Sequence, residues 1–276
     1  MTTAIDGVSA AEAEEAAPKT SLADVIAGAD RADGRFRVVV PDTWMQGRTA
    51  YGGLTAALAL QCAIERAPDL PPLRSAQIAF IGPLAGTLEV KTETLRRGRL
   101  ASYVQADVHS EAGLGLRATF LFMNEFKSSV DYNQGSAPPV PSPEDAAPAV
   151  RRNGNFFTSN FEYRHALPIS ERRTPAFLRW TRLEERNGLH PMVEILAVGD
   201  ALPPAAMPLF ETPGPVSSLT WLVNLLTDKP ATRDGWWLLR SGSDYARHGC
   251  SSQTMLIWNA DGEPVASGMQ SVALFD

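Results

Sequence analysis

The chain has 276 residues, 44% of them hydrophobic and 20% charged, with a net charge of −6 and a mean hydropathy of −0.12. That length suits one large domain or two of ordinary size, and the acidic balance argues against nucleic acid or an anionic membrane as the main partner. No apolar run approaches the roughly 18 residues of a membrane span, and the first residues lack the basic start and apolar core of a secretory signal, so a cytoplasmic protein is expected.

Residues 1–20 are rich in Ala and Glu and read as a disordered tail. Residues 21–30 suit a short helix with Ser21 as N-cap and Asp24 at its third position. A strand over 36–40 follows. The stretch 44–66, WMQGRTAYGGLTAALALQCAIER, is the centre of this half. Gly52-Gly53 open an Ala- and Leu-rich run in which Thr55 is the only polar side chain before Gln61, and no charge precedes Glu65. A helix apolar nearly all round is buried on most sides. Two glycines at its start let another molecule approach free backbone N–H groups at the positive end of the helix dipole. A tight turn before a core helix accounts for them equally well. Cys62 inside this helix reads as a structural thiol.

Pro68 to Pro72 stops the helix, and strands follow. Ala76, Ile78 and Phe80 alternate with Gln77 and Ala79. Similar alternation runs over 87–96, 101–110 and 116–122, with short turns at Gly82-Pro83, Gly98 and Gly113. Period 2 with turns this short indicates an antiparallel sheet. Residues 136–148, SAPPVPSPEDAAP, form a Pro-rich linker that is expected to pack as neither helix nor sheet. The pattern then restarts. Residues 156–166 and 177–182 suit strands, 190–198 a helix, and 216–226, 236–245, 251–259 and 264–275 strands, the last two joined by a tight turn at Asp261-Gly262. The closing hairpins of the two halves look alike, which suggests a duplicated unit. The expected layout is a tail at 1–20, one repeat over 21–135, a linker at 136–150 and a second repeat over 151–276.

This pattern resembles the acyl-CoA thioesterases of the double hot-dog fold, the bacterial thioesterase II type, over about residues 35–275. In the first half the resemblance is carried by Gln46-Gly47-Arg48, Tyr51-Gly52-Gly53, Phe80 with Pro83 and Gly86, and Leu95-Arg96-Arg97-Gly98-Arg99. In the second it is carried by Asp200, Asp261-Gly262, and Val265-Ala266-Ser267 leading to Gln270. It implies an α+β fold of two tandem repeats, each a long antiparallel sheet wrapped around a central helix. It also implies hydrolysis of acyl-CoA thioesters within fatty acid metabolism, with no metal or redox cofactor. A homodimer formed through outer sheet faces is the expected assembly.

Family members activate water with an Asp on the second helix, assisted by a Gln on the last strand and a Ser or Thr on an intervening one. Asp200 stands at the first position. It follows Leu196, Val193 and Met192 by four, seven and eight residues, so it continues the apolar helix face. Desolvation there would raise its pKa; a cap just past the helix end is the alternative. Gln270 stands at the second and shares strand parity with Ala266, Gly268, Val272 and Leu274, so it sits on an apolar face and must be hydrogen-bonded. At the third, Val216 replaces the usual Thr, and Ser217 serves only if a bulge changes its face. This departure keeps open a catalytically inactive acyl-CoA- or lipid-binding protein. By the same resemblance Tyr51, Gly52 and Gly53 bind substrate and its oxyanion. Arg48, Arg97 and Arg99 either meet the CoA phosphates or are solvated charge. No G-x-S-x-G elbow supports a serine nucleophile. His248 and Cys250 lack a third partner.

Overall fold

The computed structural model describes residues 19–151, 154–167 and 173–275; the expected tail lies almost wholly outside them. Ser21 accepts the Asp24 N–H at 3.0 Å and caps α1 (Leu22–Ala27). β1 (Arg37–Val39) follows. A small hairpin of β2 (Met45–Gln46) and β3 (Thr49–Ala50) then leads into α2 (Gly52–Arg66). α2 is buried continuously from Gly53 to Leu60. Its one polar side chain there, Thr55, donates to Gly52 O at 2.9 Å and is satisfied within the helix. Around it lie β4 (Leu73–Phe80), β5 (Thr87–Arg97), β6 (Ala101–Ser110) and β7 (Gly113–Met123). Register places Val90 opposite Val108, and Ala118 between Ala106 and Ile78, so one apolar face meets the helix.

The second half contains β8 (Ala147–Pro148), β9 (Phe161–His165), β10 (Ala176–Leu183), α3 (Pro191–Gly199), β11 (Val216–Leu225), β12 (Trp237–Arg247), β13 (Cys250–Asn259) and β14 (Pro264–Leu274). The strand order is β1-β5-β6-β7-β4 in the first half and β11-β14-β13-β12-β10-β9-β8 in the second. Apart from β9 and β8 at one edge, each half repeats the same order around one helix, which is the double hot-dog arrangement. β4 and β11 pair with Ile78 opposite Trp221 and join the halves into one antiparallel sheet. α2 packs against α3 on its inner face.

Two expectations need correction. The alternation over 156–166 predicts one strand, but Phe157–Asn160 forms a 3-10 turn before β9. Contacts with the first half hold that turn: the Asn160 amide donates to Thr43 O at 2.6 Å, and Phe157 stacks on Tyr51 with ring centroids 4.2 Å apart. The Pro-rich segment is also more than a spacer. Trp180 Nε1 donates to Pro141 O at 2.9 Å, Trp258 Nε1 donates to Gly135 O, and Arg164 donates to Pro143 O. Ala137, Val140 and Ala146 cover Trp180, Trp236, Leu238 and Trp258 on the outer face of the second half. Ala147 and Pro148 then pair with β9 at the sheet edge, a position proline tolerates.

Candidate active site

α3 is anchored along its length before it reaches Asp200. His190 Nδ1 accepts the Met192 N–H at 3.2 Å, and Pro191 takes the first helical position. Glu194 is buried, pairs with Arg186 at 2.8 Å and accepts Trp237 Nε1 at 2.9 Å, so its charge is fully bonded. At the other end Tyr51 donates its hydroxyl to Ala197 O at 2.8 Å, and Tyr163 donates to Ala201 O at 3.2 Å. The first of these carbonyls belongs to the last turn, where no intrahelical partner exists.

Asp200 is the C-cap of α3, so it both ends the helix and points its side chain inward. Its Oδ1 accepts Gln270 Nε2 at 2.9 Å. Its Oδ2 lies against Gly52 of α2: a Cβ on Gly52 would fall 2.6 Å from that oxygen and 3.0 Å from the Phe80 ring. Only glycine permits this approach. Gly53 is equally constrained, since a Cβ there would meet the Tyr51 hydroxyl at 2.5 Å. The carboxylate therefore lies where the N-terminus of one helix meets the C-terminus of the other.

Burial pushes the Asp200 carboxyl up to about 7, against the lowering effects of the Gln270 amide and the Gly53 N–H. Such a group is half ionised near neutrality and can accept a proton from water. The Gly53 N–H thus serves the carboxylate in this state. Among the described residues, the Gly52 N–H has no hydrogen-bond partner.

Other expected site residues are placed differently. Tyr51 is buried with its hydroxyl committed to Ala197 O and its ring to Phe157, so it braces α3 and offers no free group to a substrate. In β11 a bulge does occur, between Ser218 and Thr220. It leaves Ser217 exposed, opposite Ala273 and three positions from Gln270 along β14, about 10 Å away. Ser218, opposite buried Val272, has the inward parity instead. Arg97 pairs with Asp69 beyond the far end of α2, and Arg99 is exposed in the adjoining turn. The 15 residues of α2 separate them from Asp200 by about 20 Å. Arg48, exposed in the β2–β3 hairpin, lies at the same end of α2 as Asp200.

Two family models match the chain: the acyl-CoA thioesterase N-terminal domain over residues 40–123 and the acyl-CoA thioesterase C-terminal domain over residues 135–274. The chain belongs to the acyl-CoA thioesterase family. No curated protein sequence matches it. Among solved structures it is similar to a hot-dog protein of unknown function from Alicyclobacillus acidocaldarius, with TM-score 0.81, 19% identity, and 94% of this chain and 99% of the other covered. It is also similar to a TesB protein from Mycobacterium avium subspecies paratuberculosis, with TM-score 0.72, 20% identity, and 93% and 100% covered. An acyl-CoA thioesterase II from Mycobacterium marinum gives TM-score 0.67, 17% identity, and 91% and 97% covered. At these identities the structural likeness shows the fold.

One further residue of this thioesterase-family site was not singled out in the sequence. Gln253 on β13 lies directly across from Gln270 and donates its Nε2–H to Gln270 Oε1 at 2.8 Å. A signal for it exists. Gln253 shares strand parity with Ser251, Met255 and Ile257, all buried, so it is polar at an inward position.

Proposed function

We propose that this protein hydrolyses acyl-CoA thioesters with a water molecule activated by Asp200. The observation that carries the reading is a carboxyl held near 7, hydrogen-bonded by Gln270 and facing the N-terminus of α2. In the reaction as drawn, the thioester carbonyl lies beside Gly52, with its oxygen toward the positive end of the helix. Asp200 takes a proton from water as the water oxygen bonds to the carbonyl carbon. Gln270 holds the carboxylate and orients the water. Collapse of the tetrahedral intermediate breaks the carbon–sulfur bond, and the proton returns to the departing thiolate. The products are a free acid and CoA. Arg48, exposed at the same end of α2, meets the CoA phosphates in this reading. A cytoplasmic homodimer completes the reading, checked by cell fractionation and by light scattering of the purified protein.

The test is release of CoA thiol from acyl-CoAs of graded chain length. Asp200→Asn is expected to lower kcat by about 100-fold or more, and wild-type kcat/KM to rise with pH through about 7. An Asp200→Asn variant of full activity overturns the assignment of the base. The displacement of Ser217 from the site favours one second reading, a non-catalytic acyl-CoA-binding protein. Its mark is an acyl-CoA-dependent rise in Tm with no thiol released at any chain length.

A further inference from the structure

Three hydrogen bonds run in one direction through the second half. The Ala205 N–H donates to Gln253 Oε1 at 2.7 Å, Gln253 Nε2 donates to Gln270 Oε1 at 2.8 Å, and Gln270 Nε2 donates to Asp200 Oδ1 at 2.9 Å. Ala205 follows Asp200 by a short loop, so the bonds and the chain close a ring. Gln253 and Gln270 are 2% and 4% exposed, so water does not compete for their amides. A primary amide has a donor end and an acceptor end, and can turn over within its own shape. A backbone N–H can only donate. Its place at the head of the series therefore fixes every amide after it.

We propose that Gln253 is a positioning residue: held by the Ala205 N–H, it fixes the polarity of the Gln270 amide so that Gln270 presents only its N–H to Asp200. This rests on the reading of Asp200 as the base, but its effect on the carboxyl can be measured without turnover. With the lock removed, Gln270 is free to turn its oxygen toward the carboxylate. That oxygen accepts a hydrogen bond from the protonated carboxyl, which favours the neutral acid over the ionised base. The other titratable groups whose fields reach Asp200 are the hydroxyls of Tyr51 and Tyr163. Burial holds both far above their ordinary range, so they stay neutral throughout the experiment.

Two variants break the lock at different points. Gln253→Met removes both amide ends at similar volume. Ala205→Pro puts the ring Cδ in place of the hydrogen that sets the direction, so Gln253 Oε1 loses its donor and must move back. Proline suits this position, because Met207 N–H donates to Pro204 O and Ala206 is αR, which makes Ala205 the second residue of a type I turn. The carboxyl is followed by carbon NMR on protein labelled at aspartate, with Asp200→Asn assigning the signal. In both variants its titration midpoint is expected to rise by about 0.5–1 pH unit. The acid limb of kcat/KM should move with it, while kcat falls about three- to tenfold and KM stays within about twofold. Folded variants whose Asp200 titrates at the wild-type pH overturn the proposal, whatever happens to kcat. If the midpoints move but wild type releases no thiol, the ordering role of Gln253 stands and the hydrolase reading falls.

Discussion

The two halves repeat one strand order but line it differently. In the first, the fully buried positions from Leu88 to Phe122 are apolar apart from Ser102 at a strand end, and they enclose a helix of 15 residues. In the second, the helix has 9 residues, and Thr181, Ser241, Ser251, Gln253 and Gln270 are buried on the strands around it. The hydroxyls of Thr181, Ser241 and Ser251 have no hydrogen-bond partner among the described residues, an arrangement that costs stability. The two halves thus differ as an apolar wall and a polar floor. The wall contributes a helix N-terminus and close glycine contacts. The floor contributes the carboxylate and the amides that bond it.

The largest expected effect tests how much the floor costs. An aspartate ordinarily titrates near 4 in an unfolded chain and near 7 here. Between those values the folded protein keeps a proton that the unfolded chain has released. The favourable contribution of Asp200 is therefore complete below pH 4 and is lost as pH rises through 7. Asp200→Asn does not titrate, so its stability relative to wild type should grow from pH 4 to pH 8 by up to about 4 kcal/mol. Denaturant unfolding at pH 4 and pH 8 measures this. An equal difference at pH 4 and pH 8 would mean that Asp200 carries no such cost.

The next prediction asks whether the wall controls the floor. Gly52→Ala changes only the first half, yet its Cβ would overlap Asp200 Oδ2. A carboxylate displaced by about 1 Å should lose about 100-fold in kcat while the protein stays folded. Full activity with an unchanged Tm would show that the two helix ends stand further apart than described.

The smallest effect concerns Tyr51, which belongs to the wall by sequence and to α3 by contact. Tyr51→Phe removes the bond to Ala197 O and should cost about 1–3 kcal/mol of stability. The KM for acyl-CoA should hold within about twofold, because the hydroxyl meets no substrate. A large rise in KM at unchanged Tm would return Tyr51 to the substrate site.

Much of this architecture was legible in the residues. Strict alternation with short turns marked the strands on both sides of the linker, and the all-apolar run over 54–66 marked α2 as buried, because burial and period leave direct traces in a sequence. Asp200 and Gln270 were visible as polar residues with inward parity. The same rule applied to 251–259 would have found Gln253. What failed was whatever depended on a neighbour distant in the chain. The Phe157–Asn160 turn exists because Thr43 and Tyr51 are there to receive it. Ser217 needed a bulge to face inward, and the bulge that pairing with β14 sets between Ser218 and Thr220 leaves it facing outward.

By itself, then, the sequence determined two repeats, a buried glycine-led helix and two inward polar residues, since pattern and composition specify which faces leave water. Only the tertiary structure decided that Gly52 and Asp200 meet, that Tyr51 is a brace, and that Gln253 stands behind Gln270. Those outcomes depend on the pairing of β4 with β11 and the packing of α2 on α3. Such contacts bring together residues too far apart in the chain for any local pattern to record.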